Sequence, residues 1–509
     1  MTDSSNNKPV RTRFAPSPTG YVHIGNARTE LFNFLFTRHY KGVHVLRVED
    51  TDQSRLVEGA VENMLKVLKT LGIEFDEGAI LNDAGHIEER GEFGPYTQSA
   101  RLDIYKDYIQ KLLNNKSAYY CFCTQERLDE LRKEQIALKQ PAMYDRHCRN
   151  LSAEEVASKQ DEFKAAGKSP VVRFAIPLEG ETVVTDLVFG EMKYQNAVLD
   201  DQVLIKSDGF PTYHFAVVVD DHLMEISHVI RGEEWIPSTP KHVLIYKAFG
   251  WEAPQFAHMP LILNPDKSKL SKRQGDVAVE DFLKKGYLPE ALINFMAFLG
   301  WNPKTEQEIF SEQELIEHFD LEKVNKSGAV LDTVKLDWMN SEYIKAKSNA
   351  ELVELAKPYW QAAGVDTEKF SSAYLEAIVE LEKARLKKLA DLPELTKYFF
   401  NTTGLQIDPE ILVWKKSNAK DTHQNLLLLQ DLFRITDDDV MNSPEKLEVI
   451  VKGFIAEHEL DNGSVLWPLR YALTGEEKSP GPFEVTATIF LGLGREEVMN
   501  RLQQAISVL

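Results

Sequence analysis

Within its first fifty residues the chain commits itself to a parallel sheet. Residues 11–15, RTRFA, read as a short strand, and residues 16–22, PSPTGYV, as a Pro/Gly-rich loop. From about Asn26 the apolar Ala27, Leu31, Phe34 and Leu35 recur at helical spacing until Lys41-Gly42 ends the run. VHVLRVED then alternates as a strand does. Strand, loop, helix and strand in this order make one βαβ unit, and its right-handed crossover puts the loop at the carboxyl end of the first strand. Nucleotides bind at such places.

The rest of the chain divides by pattern. Residues 98–113 read as helical, 119–123 as extended, 125–138 as helical again, and 171–205 as several short strands separated by Gly and Asp turns. This is the pattern of an insertion between two halves of a sheet. The continuous apolar run 213–219, YHFAVVV, ending in Asp220-Asp221, reads as a strand buried on both faces, where the parallel sheet resumes. After about residue 280 strand signals fade, and segments 351–363, 372–397 and 422–434 carry helical periodicity. The last third is expected to be one or two helical modules.

Length and composition fit several globular domains: 509 residues, 43% hydrophobic and 27% charged. A net charge of −20 requires any nucleic-acid partner to be met by local basic patches, such as Lys383, Arg385, Lys387 and Lys388, or Lys415-Lys416 beside Trp414. Taken singly, these are also the marks of ordinary solvated helix faces. No apolar run approaches the roughly 18 residues of a membrane span, and the first residues lack the apolar stretch of a secretory signal, so a cytoplasmic protein without membrane contact is expected. The three cysteines exclude a disulfide framework, and their clustering suggests a metal.

Two short constellations carry the chemistry. In residues 13–29, RFAPSPTGYVHIGNART, Gly25 admits a phosphate to the backbone, His23 supplies a donor, and the following helix N-terminus presents unpaired N–H groups. Some 240 residues later comes KSKLSKR, residues 267–273, then Gln274-Gly275-Asp276. Lysines on such a loop can neutralise charge that develops on a triphosphate as pyrophosphate leaves. Either segment alone is more simply a turn or a solvated basic loop.

Together, and in this order, HIGN resembles the HIGH motif and KLSKR the KMSKS loop of class I aminoacyl-tRNA synthetases. RFAPSPTG, VEDTD at 48–52, HVIRGEEW at 228–235, KHVLIYKAFGW at 241–251, KLDWMN at 335–340 and WPLRYALTG at 467–475 narrow the resemblance to the bacterial-type glutamyl-tRNA synthetase family, over nearly the whole chain. The resemblance implies an α/β fold: a Rossmann-type parallel-sheet catalytic domain with an α+β insertion, followed by an all-α C-terminal anticodon-binding region. The expected boundaries are 1–105 and 210–255 for the catalytic domain and 106–209 for an insertion that binds the tRNA acceptor end. Residues 256–348 would be a stem-contact region carrying the KLSKR loop, and 349–509 the helical anticodon-binding region.

It also implies ATP with Mg2+, L-glutamate and tRNA(Glu) as partners of a monomer. His23, Lys269 and Lys272 would be catalytic, with His23, Gly25 and Lys272 on ATP. Arg13, Ala15, Ser17, Glu49, Tyr213, Arg231 and Trp235 would hold glutamate. A glutamate zwitterion needs two cationic clamps and one anion, which Arg13, Arg231 and Glu49 supply. The competing readings are ion pairs of Arg231 with Glu233 or Glu234, and of Glu49 with Arg47. The chain departs from the family at Asn26, the fourth position of HIGH, and at Val217, where related enzymes often carry Asn.

Cys121-Phe122-Cys123 and the distant Cys148 offer three thiolates where a closed structural zinc site wants four donors. The resemblance adds Tyr144, four residues before the last cysteine, as the fourth ligand, with His147 as the alternative. Three reduced, buried thiols are the reading without metal.

Overall fold

The structure is a computed structural model of the chain and describes residues 9–18, 20–82, 84–270, 277–401 and 404–509. It divides into two compact units. One comprises residues up to Phe282 with Leu292–Asp332, the other Leu283–Ala291 with Thr333–Leu509.

The first unit opens with the expected βαβ. β1 (Arg11–Phe14) leads through a loop to α1 (Ile24–His39), and β2 (Val43–Leu46) returns parallel to β1 with Val45 opposite Arg13. α1 buries Ala27, Leu31, Phe34 and Leu35 as its periodicity predicts, and Lys41 turns the chain with φ 52°. After α2 (Ala60–Thr70), β3 (Glu77–Leu81) pairs parallel to β2, and β4 (Ile87–Arg90) closes that edge antiparallel.

The middle of this unit holds α3 (Leu102–Asn114), β5 (Ala118–Cys121), α4 (Gln125–Ala137), α5 (Ala153–Ala165) and β6 (Val171–Phe174). The hairpin β7 (Glu181–Asp186) and β8 (Gly190–Gln195) follows, then β9 (Val203–Ile205). Strands β5, β6 and β9 form a separate antiparallel sheet. The hairpin does not join it. Next come α6 (Tyr213–Leu223), β10 (His228–Gly232), α7 (Thr239–Phe249) and β11 (Gln255–Met259), and β7 extends the parallel pair β10 and β11.

At its start β10 lies beside β1, where the Ser227 N–H donates to the Arg11 carbonyl at 3.0 Å. The strand order β3, β2, β1, β10, β11 therefore reverses direction between β1 and β10. Ligand sites form at the carboxyl ends of strands at such a switch point. Farther on, β12 (Ile262–Leu263) pairs with β13 (Ala329–Val330).

One expectation is corrected. Residues 213–219 are not a strand but the first part of α6, and the parallel sheet resumes at β10. Phe215 to Asp221 are buried on all sides of that helix, against α3, α7 and the β5–β6–β9 sheet. Enclosure removes the polar face that would have shown a helical period, and a short apolar run alone cannot separate a buried helix from a buried strand.

The second unit is helical, with no strand among its described residues. Asn349–Ala362 begins at a capping box between Ser348 and Glu351, which satisfies two end N–H groups. The predicted segment 372–397 is two helices, Ser372–Lys383 and Leu392–Phe400, the second started by Pro393 in its first turn. Pro482–Ser507 is two helices that meet at a kink at Gly494, and just before it a Cβ on Gly492 would come within 2.3 Å of the buried Tyr374 ring, so only glycine fits there. Of the basic residues in this unit, Lys383 is turned inward onto the Lys347 carbonyl and Arg385 is paired with Glu382, whereas Lys415 and Lys416 are exposed. Among the described residues no helix is long and apolar enough to cross a membrane.

Candidate active site and candidate metal centre

A cavity of about 830 Å³ opens where the switch point predicts it. It gathers every predicted catalytic, ATP-binding or glutamate-binding residue that the structure describes: Arg13, Ala15, Ser17, His23, Gly25, Glu49, Tyr213, Arg231, Trp235 and Lys269. Lys272 lies outside the described residues. Val217, one turn along α6 from Tyr213, is buried in apolar packing.

One wall is built for an anion. His23 is the N-cap of α1, and its Nδ1 accepts the Gly25 N–H at 3.0 Å, which leaves Nε2 as the protonated nitrogen of the neutral ring. A Cβ on Gly25 would lie 3.1 Å from that Nδ1, so the glycine keeps the cap in place. Leu270 N–H reaches the Ile262 carbonyl, Ile24 N–H the Val277 carbonyl and Val279 N–H the Val22 carbonyl. The backbone just after the second constellation is thus hydrogen-bonded to the first. Arg28, buried in the first turns of α1, donates to the Leu299 and Pro260 carbonyls, and burial lowers its pKa to about 10 against the nearby charge of Glu234 and Glu233.

The opposite wall is built around two arginines with contrasting partners. Arg13 donates through Nε to Asp221 at 3.1 Å. Arg47 donates to the same Asp221 oxygen at 2.8 Å and to Oε1 of Glu49 at 2.9 Å. The expected alternative pairing of Glu49 with Arg47 is therefore present. Both of Arg47's bonds to Glu49 land on one oxygen, and Glu49 still lines the cavity. Burial pushes the Glu49 carboxyl up to about 7, opposed by Arg47 and Arg13. Burial acts the same way on Asp221, but Arg13 and Arg47 outweigh it and hold that carboxyl below its ordinary value.

Arg231, on β10 and only 6% exposed, has no ion pair with any described carboxylate, so the Glu233 and Glu234 alternatives do not form. Its guanidinium is held by neutral groups instead. Nε donates to His258 Nε2 at 3.0 Å, Nη1 to Tyr213 Oη at 3.1 Å and His242 Nδ1 at 3.3 Å, and Nη2 to Thr239 Oγ1 at 2.9 Å. Burial, and after it the charge of Arg231, pushes His242 well below the ordinary histidine range, and burial also lowers His258. Tyr213 packs on Trp235 with ring centroids 4.4 Å apart. A buried cation among neutral acceptors at a cavity wall is a site for an anion.

Arg47, Asp221, His242 and His258 were not singled out from the sequence as site residues. The one usable signal was two acids, Asp220-Asp221, directly after an apolar run.

A separate cluster lies in the insertion. The sulfurs of Cys121, Cys123 and Cys148 are within 4.8 Å of one another. Tyr144 Oη stands 3.3 Å from Cys121 Sγ and 3.4 Å from Cys123 Sγ, while His147 is exposed and outside the set. The surroundings suit anionic donors. Phe122 N–H points at Cys148 Sγ and an Arg127 N–H at Cys123 Sγ, each at 3.4 Å, Cys148 N–H reaches Tyr144 Oη at 3.0 Å, and the Arg173 guanidinium sits 3.9 Å over the Tyr144 ring. Three sulfurs and a phenol oxygen so arranged fit a tetrahedral zinc ion.

Residues 9–338 match the family model described as tRNA synthetases class I (E and Q), catalytic domain, and residues 351–506 that of an anticodon binding domain. The fold is that of a class I tRNA synthetase. The chain is 48% identical to the Glutamate--tRNA ligase of Clostridioides difficile (strain 630), over 97% of its own length and 98% of the other's. It is 43% identical to that of Dehalococcoides mccartyi over 98% of both. A solved glutamate tRNA ligase from Elizabethkingia meningosepticum, crystallised in complex with its amino acid, superposes with a TM-score of 0.87 at 36% identity, covering 99% of this chain and all of that one. The chain belongs to the glutamate--tRNA ligase family of class I tRNA synthetases.

Proposed function

We propose that this chain is a glutamate–tRNA ligase, which activates L-glutamate with ATP to glutamyl-adenylate and transfers the glutamyl group to the 3′ end of tRNA(Glu), releasing AMP and pyrophosphate. The observation that carries this reading is Arg231: a buried cation without a carboxylate partner among the described residues, in the same cavity as the Glu49 carboxyl and the helix-capping His23.

In the first step a glutamate α-carboxylate oxygen attacks the α-phosphorus of ATP and pyrophosphate leaves. In the second, a hydroxyl of the terminal adenosine attacks the glutamyl carbonyl carbon and AMP leaves. Arg13 and Arg231 take the two carboxylates, and Glu49 the α-ammonium. Ala15, Ser17, Tyr213 and Trp235 line the remainder. His23 and the α1 N-terminus, with Gly25 admitting close approach, face the phosphates. Lys269, and Lys272 from the undescribed segment, neutralise the charge that passes to pyrophosphate. Catalysis is positioning and charge stabilisation, without a covalent side-chain intermediate. Mg2+ bound with ATP supplies further neutralisation of the phosphates.

Cys121, Cys123, Cys148 and Tyr144 hold a structural zinc ion that stiffens the insertion, residues 106–209, where the tRNA acceptor end is bound. Residues 256–348 contact the stem, and the helical region 349–509 meets the anticodon. The enzyme works as a cytoplasmic monomer. Aminoacylation of total bacterial tRNA with labelled glutamate or glutamine tests the reading. Glutamate attached to tRNA(Glu) is expected; glutamine attached instead, or neither, would overturn it.

A further inference from the structure

The groups around Arg231 could each have faced it the wrong way. A guanidinium offers only N–H donors, whereas histidine, tyrosine and threonine can donate or accept, so holding Arg231 requires every one of them to turn an acceptor inward. The structure shows what enforces this. His258 Nδ1 lies 2.6 Å from Asp186 Oδ2, a carboxylate oxygen, which puts the ring proton on Nδ1 and leaves Nε2 bare toward Arg231 Nε. Asp186 is itself pinned at the end of β7. Its Oδ1 accepts the Val188 and Phe189 N–H groups at 2.9 and 2.8 Å, and its Oδ2 also accepts the His258 N–H at 3.1 Å.

On the other side, His242 Nε2 lies 3.0 Å from His214 Nδ1. With Nδ1 of His242 accepting from Arg231, the shared proton belongs to His242 Nε2, and His214 accepts. The Thr239 hydroxyl has an acceptor for its own proton in the Trp235 carbonyl, 3.1 Å away, which leaves it a lone pair for Nη2. Four of the five guanidinium N–H groups are then engaged. The fifth, on Nη2, and the Tyr213 hydroxyl proton are the donors left over for a ligand at this corner. Such a corner favours a carboxylate, whose two oxygens accept from both donors, over an amide, which offers one oxygen and sets its NH2 group against a donor. The charge of Arg13 bears on Glu49, and both hang on the Asp221–Arg47 cluster. That pair suits the α-carboxylate and α-ammonium, which share one carbon, and leaves Arg231 to the side-chain carboxylate.

We propose that the pairs Asp186–His258 and His214–His242 are positioning residues that fix the histidine tautomers around Arg231 and thereby make this corner of the pocket accept a side-chain carboxylate and reject an amide. The proposal rests on the reading of Arg231 as a glutamate clamp.

The test is aminoacylation by the full chain, with KM for glutamate and for ATP measured separately. His258→Leu removes the acceptor for Nε; glutamate KM should rise about tenfold or more, with ATP KM within about twofold. His258→Gln, whose amide oxygen can reach the place of Nε2, should recover most of the loss. An unchanged glutamate KM in His258→Leu, or glutamate and ATP KM rising in step, would overturn the proposal. Arg231→Gln separates the two levels. If it leaves glutamate KM unchanged, the reading of Arg231 as a clamp has failed; if it raises KM while folded His258→Leu does not, only the positioning role has. Should His258→Leu not fold, 15N-histidine NMR of the unaltered protein decides. His258 protonated on Nδ1 and His242 on Nε2 are expected, and the opposite tautomer at His258 would overturn the proposal.

Discussion

Glu49→Gln should make the protein more stable and the enzyme worse, and the first effect should depend on pH. The Glu49 carboxyl stands at about 7, raised from 4.5 by burial. A raised carboxyl pKa means that the folded state prefers the protonated form. The associated stability is fully present below 4.5 and is lost as pH rises through 7. The shift corresponds to about 3 kcal/mol at 1.36 kcal/mol per pH unit. Glutamine keeps the acceptor for Arg47 but has no proton to lose, and Arg47 retains its bond to Asp221. The variant should therefore exceed the parent by about 1 kcal/mol at pH 5 and about 3 kcal/mol at pH 8.

Native-state hydrogen exchange of peptides covering Val43–Leu46 reads this locally. Parent and variant are compared at each pH so that intrinsic exchange rates cancel. The same substitution removes the anion proposed for the α-ammonium, so glutamate KM should rise. In the parent, glutamate KM should fall as pH rises through about 7. A parent–variant difference in exchange that stays constant from pH 5 to pH 8 would refute the assignment of a neutral, buried Glu49 to the empty pocket.

Metal analysis of protein purified without chelator should find about one equivalent of zinc, and Cys148→Ser should drop it below half. Full retention in that variant would remove Cys148 from the site. Gly25→Ala, which sets a Cβ against the His23 cap, should lower kcat/KM for ATP roughly five- to tenfold and leave glutamate KM in place; a parallel rise in glutamate KM would point to general damage. Asp220 accepts from Arg101, Gln98 and Tyr105 at 2.7–2.8 Å. Asp220→Ala should therefore cost about 3–5 kcal/mol in denaturant unfolding, because it leaves Arg101 charged and unpaired in the interior. Asp103→Ala, which breaks an exposed pair with Lys106, should leave the unfolding midpoint where it is.

What the sequence disclosed and what it hid follow from the range over which each residue acts. β1, α1 and β2 were legible, although all three are buried on more than one face, because the Pro/Gly-rich loop and Lys41-Gly42 mark their ends locally and Ala27, Leu31, Phe34 and Leu35 still fall at helical spacing. α6 was misread because its surroundings, supplied by residues more than a hundred positions away in α3 and by the later α7, bury it on every side. The cavity residues were legible as a set because the HIGN and KLSKR segments, each ambiguous alone, fix one another once taken in order.

The partners that decide the chemistry were not legible in that way. Arg231 and Glu49 look symmetrical in the sequence, each a charged residue with an opposite charge two or three positions away. In the fold they diverge. Glu49 keeps its near neighbour Arg47, whereas Arg231 turns from Glu233 and Glu234 to His258 and His242, which answer to Asp186 and His214. Asp186 stands 72 positions from His258, in a hairpin that the strand pattern assigned to the insertion. That hairpin instead extends the central sheet beside β11 and so brings its carboxylate beneath the arginine. A carboxylate placed next to Arg231 itself would have neutralised the clamp and competed with the substrate. Placed one imidazole away, it fixes direction without cancelling charge. A hairpin from the insertion can therefore serve the active site while contributing no residue to the cavity wall.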